Sequence, residues 1–161
     1  MIDLKIKQLL DEDFVNYKKP SMFIGFPNCT WKCEKECGQT MCQNKELALS
    51  PDIEISCKTI VDRYMENPIT KAIVIGGLEP FDSWTELKRL VSLFRTETQD
   101  DIVIYTGYNK KEVENNMLRY LRPYRNIIVK FGRFVPNQEP HYDEVLGIKL
   151  ASPNQYAERI S

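Results

Sequence analysis

The chain has 161 residues, of which 42% are hydrophobic and 28% charged, a size and composition that suit one packed domain and exclude wholesale disorder. Its 22 Lys and Arg residues nearly balance 23 Asp and Glu residues, which disfavours a dedicated nucleic-acid-binding protein, because such proteins carry a basic excess. No signal peptide opens the sequence and no apolar run is long enough to span a membrane, so we expect a single cytoplasmic domain over residues 1–161 with no membrane partner.

The hydrophobic pattern predicts strands that alternate with helices. An edge strand is predicted within residues 2–10, and a buried strand over 21–26 ends at Pro27. Ser56 can cap a helix over about residues 57–67, whose predicted apolar face comprises Ile60, Val61, Tyr64 and Met65. Four further strands are predicted, at 71–75, 101–105, 126–130 and within 145–150. A helix between the first two begins with a capping box at Ser83–Glu86 and buries Leu87, Leu90, Val91 and Phe94. Another helix follows Asn109 and carries Val113, Met117, Tyr120 and Leu121 on its apolar face.

This order predicts the fold class α/β. Strands that read as continuous apolar runs, separated by helices of about a dozen residues, are typical of a parallel sheet. About five or six strands are too few for an eight-unit barrel, so we expect a partial (β/α) barrel or an open, mostly parallel sheet. Ligands bind such sheets at the carboxyl ends of the strands, which predicts one rim built from the segments after four strands: the cysteine loop, Gly76–Gly77, Thr106–Gly107 and Gly132–Arg133.

Cysteine is the unusual component. Four of the five cysteines fall in a loop predicted at residues 27–44, at Cys29, Cys33, Cys37 and Cys42, and Cys57 lies apart. In a reducing compartment such a cluster more often binds metal than forms disulfides. The spacing contains no C-x2-C pair and leaves an iron–sulfur cluster and structural zinc about equally open. Cys57, at the start of a helix, is interpreted as a small core residue.

The cysteine loop also resembles a known family. Cys29-Thr-Trp-Lys-Cys33 followed by Cys42-Gln43-Asn44 is similar to the C-x3-C-x2-C loop of the radical S-adenosylmethionine superfamily, and especially to the small activating enzymes of anaerobic ribonucleotide reductase. The resemblance implies a 4Fe-4S cluster on Cys29, Cys33 and Cys42, with Gln43 and Asn44 beside the cofactor. The third ligand is either Cys42, separated from Cys33 by the eight residues 34–41, or Cys37. We favour Cys42, because the family's Gln-Asn continuation follows it.

A glycine-rich turn carries a second likeness. Gly76-Gly77-Leu78-Glu79-Pro80 resembles the superfamily's Gly-Gly-Glu-Pro turn with Leu78 inserted. The resemblance implies that Gly76, Gly77 and Glu79 contact the methionyl end of S-adenosylmethionine. Taken without the resemblance, the segment is equally well interpreted as a strand-to-helix turn with Glu79 in solvent.

Two later segments extend the likeness. Residues 105–108, Tyr-Thr-Gly-Tyr, match a strand end of the activating enzymes, where Thr106 would reach the nucleoside unless it serves only the turn. Gly132-Arg-Phe134 and Ser152-Pro-Asn-Gln155 resemble that family's closing segments. In this reading Asn154 lies beside the cofactor or helps to seat a partner.

The resemblance implies a radical S-adenosylmethionine oxidoreductase that cleaves its cofactor reductively to methionine and a 5′-deoxyadenosyl radical. The expected partners are a glycyl-radical enzyme, such as anaerobic ribonucleotide reductase, and a flavodoxin- or ferredoxin-type reductant. An Asp-Gly-Pro-Gly stretch common before the cysteine strand of such activating enzymes is missing, which leaves the target open. The alternatives are a radical enzyme acting on a small molecule, of the type that builds deazapurine precursors, and a non-enzymatic zinc module. A cluster with an open iron also predicts anaerobic or low-oxygen use.

Overall fold

A central six-stranded sheet organises the molecule. The structure is a computed structural model that describes residues 2–28 and 49–161. Its strands are β1 Leu4–Ile6, β2 Gln8–Asp13, β3 Ser21–Phe26, β4 Ile53–Ile55, β5 Ala72–Gly77, β6 Asp101–Tyr105, β7 Ile127–Phe131, β8 His141–Asp143, β9 Ile148–Leu150 and β10 Tyr156–Arg159. The order in the main sheet is β10-β7-β6-β5-β3-β2, with β3, β5, β6 and β7 parallel and the two edge strands antiparallel. The predicted α/β class with an open, mostly parallel sheet is confirmed.

Three helices connect or follow the parallel strands in the described ranges. They are α1 Cys57–Glu66, α2 Trp84–Glu97 and α3, which consists of an α-helical turn Lys110–Val113, π-helical turns Glu114–Leu118 and a final α-helical turn Arg119–Leu121. A 3₁₀ turn, Pro80–Ser83, leads into α2. No helix of this part of the chain is long and apolar enough to cross a membrane.

The helices pack on one face of the sheet. Each parallel strand is added on the same side of the one before it, from β3 through β5 and β6 to β7. Right-handed crossovers then put every connecting helix on the same face. The resulting core joins alternate residues of the strands to the apolar stripes of the helices, among them Ile24, Ile73, Ile75, Ile104, Val129, Ile60, Leu90 and Phe94.

The opposite face of the sheet is covered by other parts of the chain. The segment after β2 and the hairpin of β8 and β9 lie across it. The buried side chains there are Tyr17, Leu146 and Leu150, packed with Ala72, Val74, Val103, Ile128 and Ala157. Protein side chains therefore fill both faces of the central strands, which explains why those strands are apolar throughout.

Helix α1 begins where the sequence predicts. Ser56 Oγ accepts a hydrogen bond from Thr59 N at 3.0 Å, and Ile60, Val61 and Tyr64 are buried. The prediction that Met65 belongs to the apolar face is wrong, because this residue is 47% exposed. It lies beyond the edge of the stripe that faces the sheet.

Helix α2 begins without its predicted capping box. Ser83 Oγ makes no cap hydrogen bond and instead accepts from Asn28 Nδ2 at 2.7 Å. The 3₁₀ turn places Pro80 at its start, and Glu79 caps that turn by accepting from Phe81 N. The cap of this region is therefore formed four residues earlier than predicted, and Ser83 is used to hold a distant segment.

Helix α3 buries a different stripe from the predicted one. Its buried residues are Val113, Leu118 and Leu121, whereas Met117 is half-buried and Tyr120 is 39% exposed. The π-helical turns account for the difference, because they replace the α-helical spacing of four by a spacing of five between Val113 and Leu118.

The last strand of the sheet was not predicted. The segment predicted within 145–150 contains β9, but β9 pairs with β8 in a separate hairpin. The sixth strand of the main sheet is β10, which runs antiparallel to β7 from Tyr156 opposite Phe131 to Arg159 opposite Ile128. Its sequence, Tyr-Ala-Glu-Arg, is short and mostly polar, as edge strands often are.

Candidate functional site

The carboxyl ends of β5 and β6 meet at one buried carboxylate. Glu79, two residues after β5, is 6% exposed. Its Oε2 accepts hydrogen bonds from Thr106 Oγ1 at 2.9 Å and Phe81 N at 3.1 Å, and its Oε1 accepts from Gly107 N at 2.8 Å. The structure thus brings Glu79 and Thr106 into direct contact, and Glu79 is not the solvated turn residue of the blander interpretation.

Burial controls the protonation of this carboxyl group. Loss of solvent raises the pKa of Glu79 to about 7, with a smaller upward contribution from Asp82. The hydrogen bonds from Gly107, Phe81 and Thr106 oppose this rise because they favour the ionised form. An ammonium group that approached Glu79 would shift the balance further toward the carboxylate.

Glu79 is expected to make the stability of the protein depend on pH near neutrality. Because its pKa is about 7 in the fold against an ordinary 4.5, the folded state binds more protons between these values. The free energy of unfolding therefore includes the whole contribution of the protonated group below pH 4.5 and loses it as the pH rises through 7. At 1.36 kcal/mol per pKa unit, the loss is about 3 kcal/mol. Urea unfolding of the wild-type chain and Glu79→Gln across this range measures it, and parallel profiles for the two proteins would contradict the assignment.

The backbone of the same turn is tied to the start of the cysteine loop. Leu78 N donates to Phe26 O at 3.0 Å and Glu79 N donates to Asn28 O at 2.6 Å. The inserted Leu78 is therefore part of the pairing between the two chain segments. Asn28 immediately precedes Cys29, so the chain enters the cysteine loop from a residue bonded to Glu79.

The neighbouring strand excludes a side chain at Gly77 and leaves little room for one at Gly76. Gly77 has a φ of +85°, and a Cβ there would lie 2.6 Å from Phe26 N. A Cβ on Gly76 would lie 3.2 Å from the Phe23 ring. Close packing of β3 on β5 explains both residues, and their predicted contact with the methionyl group stays a prediction.

The end of β7 lies at the same rim. Gly132 has a φ of +104°, and a Cβ there would lie 2.8 Å from Asn154 O. Asn154 Nδ2 donates to Arg133 O at 2.8 Å. Arg133 in turn lies beside Gly107, since its Cγ is 3.6 Å from the Cβ position of that glycine. The predicted site residues of the described part of the chain, Gly76, Gly77, Glu79, Thr106 and Asn154, thus all lie along this rim.

Arg133, which the sequence places on the rim, forms an ion pair that the sequence does not predict. Arg133 Nη2 forms an ion pair with Glu112 Oε2 at 2.9 Å, and the arginine side chain is only 10% exposed. The guanidinium is thus a nearly buried positive charge at the end of β7, paired with the Glu112 carboxylate. The position of Arg133 directly after Gly132, at the end of an apolar strand, is the sequence feature that indicates a charged group at this rim.

Of the five cysteines, Cys57 is the one that lies in the described part of the chain. Cys29, Cys33, Cys37 and Cys42, together with Gln43 and Asn44, lie outside the described residues. Cys57 is 1% exposed, and burial, followed by the nearby Asp3, raises the pKa of its thiol to about 12. Its interpretation as a core residue is confirmed. Among residues 2–28 and 49–161, no group of three or more His, Cys, Asp or Glu side chains is arranged to hold a metal ion.

The sequence was also compared with known families. Residues 21–152 match the model of a family described as the 4Fe-4S single cluster domain. The chain belongs to this family. The match to the 4Fe-4S single cluster family runs from β3 to the end of the β8–β9 hairpin and includes the cysteine loop. No curated protein and no solved structure matches the chain.

Membership in the 4Fe-4S single cluster family supports iron–sulfur over structural zinc as the metal of this protein. The side chains fit such a cluster, because iron–sulfur clusters are held by cysteine thiolates. Cys57 is unsuited to that role, being buried with a raised pKa. The loop that contains the other four cysteines begins beside Glu79, at the carboxyl rim of the sheet.

Proposed function

We propose that this protein is a radical S-adenosylmethionine enzyme. In this proposal Cys29, Cys33 and Cys42 hold the 4Fe-4S cluster, and Cys37 is the alternative to Cys42. Bound there, the cluster supplies the single electron that cleaves S-adenosylmethionine to methionine and a 5′-deoxyadenosyl radical. The electron comes from a reductant of the flavodoxin or ferredoxin type.

The observation that supports this proposal most is the position of Glu79. Its carboxylate is buried at the carboxyl ends of β5 and β6, and its backbone is bonded to Asn28, the residue before Cys29. A carboxylate in this place can pair with the ammonium group of the methionyl end. The raised pKa of Glu79 means that this pairing would also complete its ionisation.

The remaining rim residues would orient the cofactor. Thr106 and Gly107 hold the Glu79 carboxylate in one direction through two hydrogen bonds of 2.9 and 2.8 Å. Asn154 is fixed by its bond to Arg133 O at the far end of the rim. We propose that Gln43 and Asn44, after the third cysteine, complete the site. The cleavage itself needs no side-chain acid or base, so orientation and exclusion of water are the contributions of these residues.

A protein target is favoured by the covered face of the sheet. In a barrel-type enzyme the face away from the helices is where a small substrate would be enclosed. Here Tyr17, Leu146 and Leu150 are buried against that face. A substrate that reaches the rim from outside suits a glycyl-radical enzyme, such as anaerobic ribonucleotide reductase. The 5′-deoxyadenosyl radical would take a hydrogen atom from a glycine Cα, giving 5′-deoxyadenosine and a glycyl radical.

The test is S-adenosylmethionine cleavage by the anaerobically reconstituted protein. With dithionite as reductant, we expect about four irons and four acid-labile sulfides per chain. We also expect 5′-deoxyadenosine and methionine to form in equal amounts. Absence of 5′-deoxyadenosine from a protein that holds its cluster would overturn the proposal. Zinc in place of iron, without sulfide, would identify the zinc module instead.

A second measurement separates the two classes of target. Electron paramagnetic resonance of the reaction with added anaerobic reductase is expected to show a glycyl radical doublet on the reductase. The matched control omits S-adenosylmethionine. Cleavage without a glycyl radical, but with turnover of a pterin-type small molecule, would favour the deazapurine-precursor alternative.

A further inference from the structure

Lys7 connects two chain segments that are far apart in sequence. It lies between β1 and β2, and its backbone N donates to Gly25 O at 2.6 Å. Gly25 belongs to β3, the strand that leads into the cysteine loop. The backbone of Lys7 is therefore fixed to the entry side of that loop.

The side chain of Lys7 reaches the exit side. Its Nζ donates to Ser50 O and lies 2.9 Å from Asp52 Oδ1. The Lys7 side chain is only 10% exposed, whereas that of Asp52 is 43% exposed. A nearly buried ammonium group needs such partners, because removing an unpaired charge from water is strongly unfavourable. The contact is therefore expected to be persistent.

The strands around Lys7 support the same connection. β1 pairs with β4 antiparallel, with Leu4 opposite Ile55 and Ile6 opposite Ile53. This pairing holds the chain that leaves the loop, and Lys7 extends it back to Ser50. A cavity of about 550 Å³ lies between the two sides, and its lining includes Lys7, Pro27, Asn28, Asp52, Ser83 and Glu86.

We propose that Lys7 is a positioning residue for the iron–sulfur cluster. By joining Gly25 to Ser50 and Asp52, it sets the separation between the entry and the exit of the cysteine loop. Glu79 and Ser83 fix the entry at Asn28, and Lys7 fixes the exit relative to it. This inference rests on the proposed function only in that the loop holds the cluster. It does not depend on S-adenosylmethionine.

The rate of cluster loss tests this role. Lys7→Met keeps most of the volume of the side chain and removes its charge. We expect the anaerobically reconstituted variant to lose iron to a ferrous chelator on the order of tenfold faster than the wild-type protein. Changes in residues that hold metal ligands in place commonly weaken metal binding by about this factor or more. Lys7→Arg, which can still donate to Ser50 O and Asp52, is expected to restore most of the retention. The matched control is Lys5→Met, on the exposed side of β1.

Two further measurements separate positioning from general stability. The reduced cluster of Lys7→Met is expected to show altered electron paramagnetic resonance g-values, which a uniformly weaker fold would leave unchanged. Asp52→Asn removes the negative charge of one exit partner and leaves Lys7 and Ser50 in place. We expect it to accelerate iron loss by a smaller factor than Lys7→Met, and its rate can be measured even if Lys7→Met does not fold. Wild-type rates in both variants, from a wild-type protein that holds its cluster, would overturn this inference and leave the proposed function intact. A wild-type protein without a cluster would overturn the proposed function, and the role of Lys7 with it.

Discussion

Replacing Cys29, Cys33 or Cys42 with alanine is expected to remove the cluster from the anaerobically purified protein. Each thiolate would be one of three protein ligands, and loss of one leaves only two irons held by protein sulfur. Iron and sulfide content should fall to background, and 5′-deoxyadenosine formation with it. Iron analysis, the absorbance of the brown cluster and the cleavage assay measure the three effects on the same preparations.

The remaining two cysteines are the controls for that series. Cys57→Ala is expected to keep the cluster, because the thiol is buried in the core beside α1. Cys37→Ala is expected to keep it as well. A Cys37→Ala protein without iron, together with a Cys42→Ala protein that retains it, would reverse the assignment of the third ligand.

Substituting Gly77 by alanine is expected to be the most damaging single change among the glycines of the rim. An L-residue there would adopt a φ of +85° and place its Cβ 2.6 to 2.8 Å from backbone atoms of Gly25 and Phe26. Backbone strain and overlap each typically cost 1–3 kcal/mol, so we expect a loss of about 3 kcal/mol or more in the free energy of unfolding. Urea unfolding of the two proteins at one pH measures it.

Gly107→Ala is the matched comparison. The nearest atom to a Cβ at Gly107 is Glu79 Oε1 at 3.5 Å, an ordinary contact. We expect this variant to lose less than about 1 kcal/mol. Equal losses in Gly77→Ala and Gly107→Ala would show that the close approach of β3 to β5 is not what requires glycine.

The central strands could be predicted because their signal is local. β5, β6 and β7 are buried on both faces, so each is a continuous run of apolar residues that needs no knowledge of its neighbours. The polar edge strand β10 carries no such signal, and its partner β7 lies more than twenty residues away. The π-helical turns of α3 could not be predicted either, since the apolar pattern was interpreted with an α-helical period.

In the candidate site too, features set by local sequence could be predicted and contacts between distant segments could not. Glu79 and Thr106 each follow a strand of the parallel sheet, so the sequence predicts that both lie on the same rim. The burial of Glu79 could not be predicted, because its hydrogen-bond donors Thr106 and Gly107 follow a different strand. Ser83 was misassigned as a helix cap for a related reason: the group that it bonds, Asn28, belongs to another part of the chain.

The anchoring of both ends of the cysteine loop has a consequence for its length. When the ends of a loop are held by the surrounding fold, the conformational entropy of closing it grows only with the logarithm of the number of residues, by about 0.6 kcal/mol for each doubling. Cys33 and Cys42 are separated by eight residues, 34–41, where the C-x3-C-x2-C loop has two. The segment between Asn28 and Ser50 therefore has 21 residues in place of 15, a change that costs about 0.3 kcal/mol on this scale. A departure from the C-x3-C-x2-C spacing is therefore thermodynamically inexpensive here. The positions of Asn28 and Ser50, more than the spacing of the cysteines, would define where the loop can place its ligands.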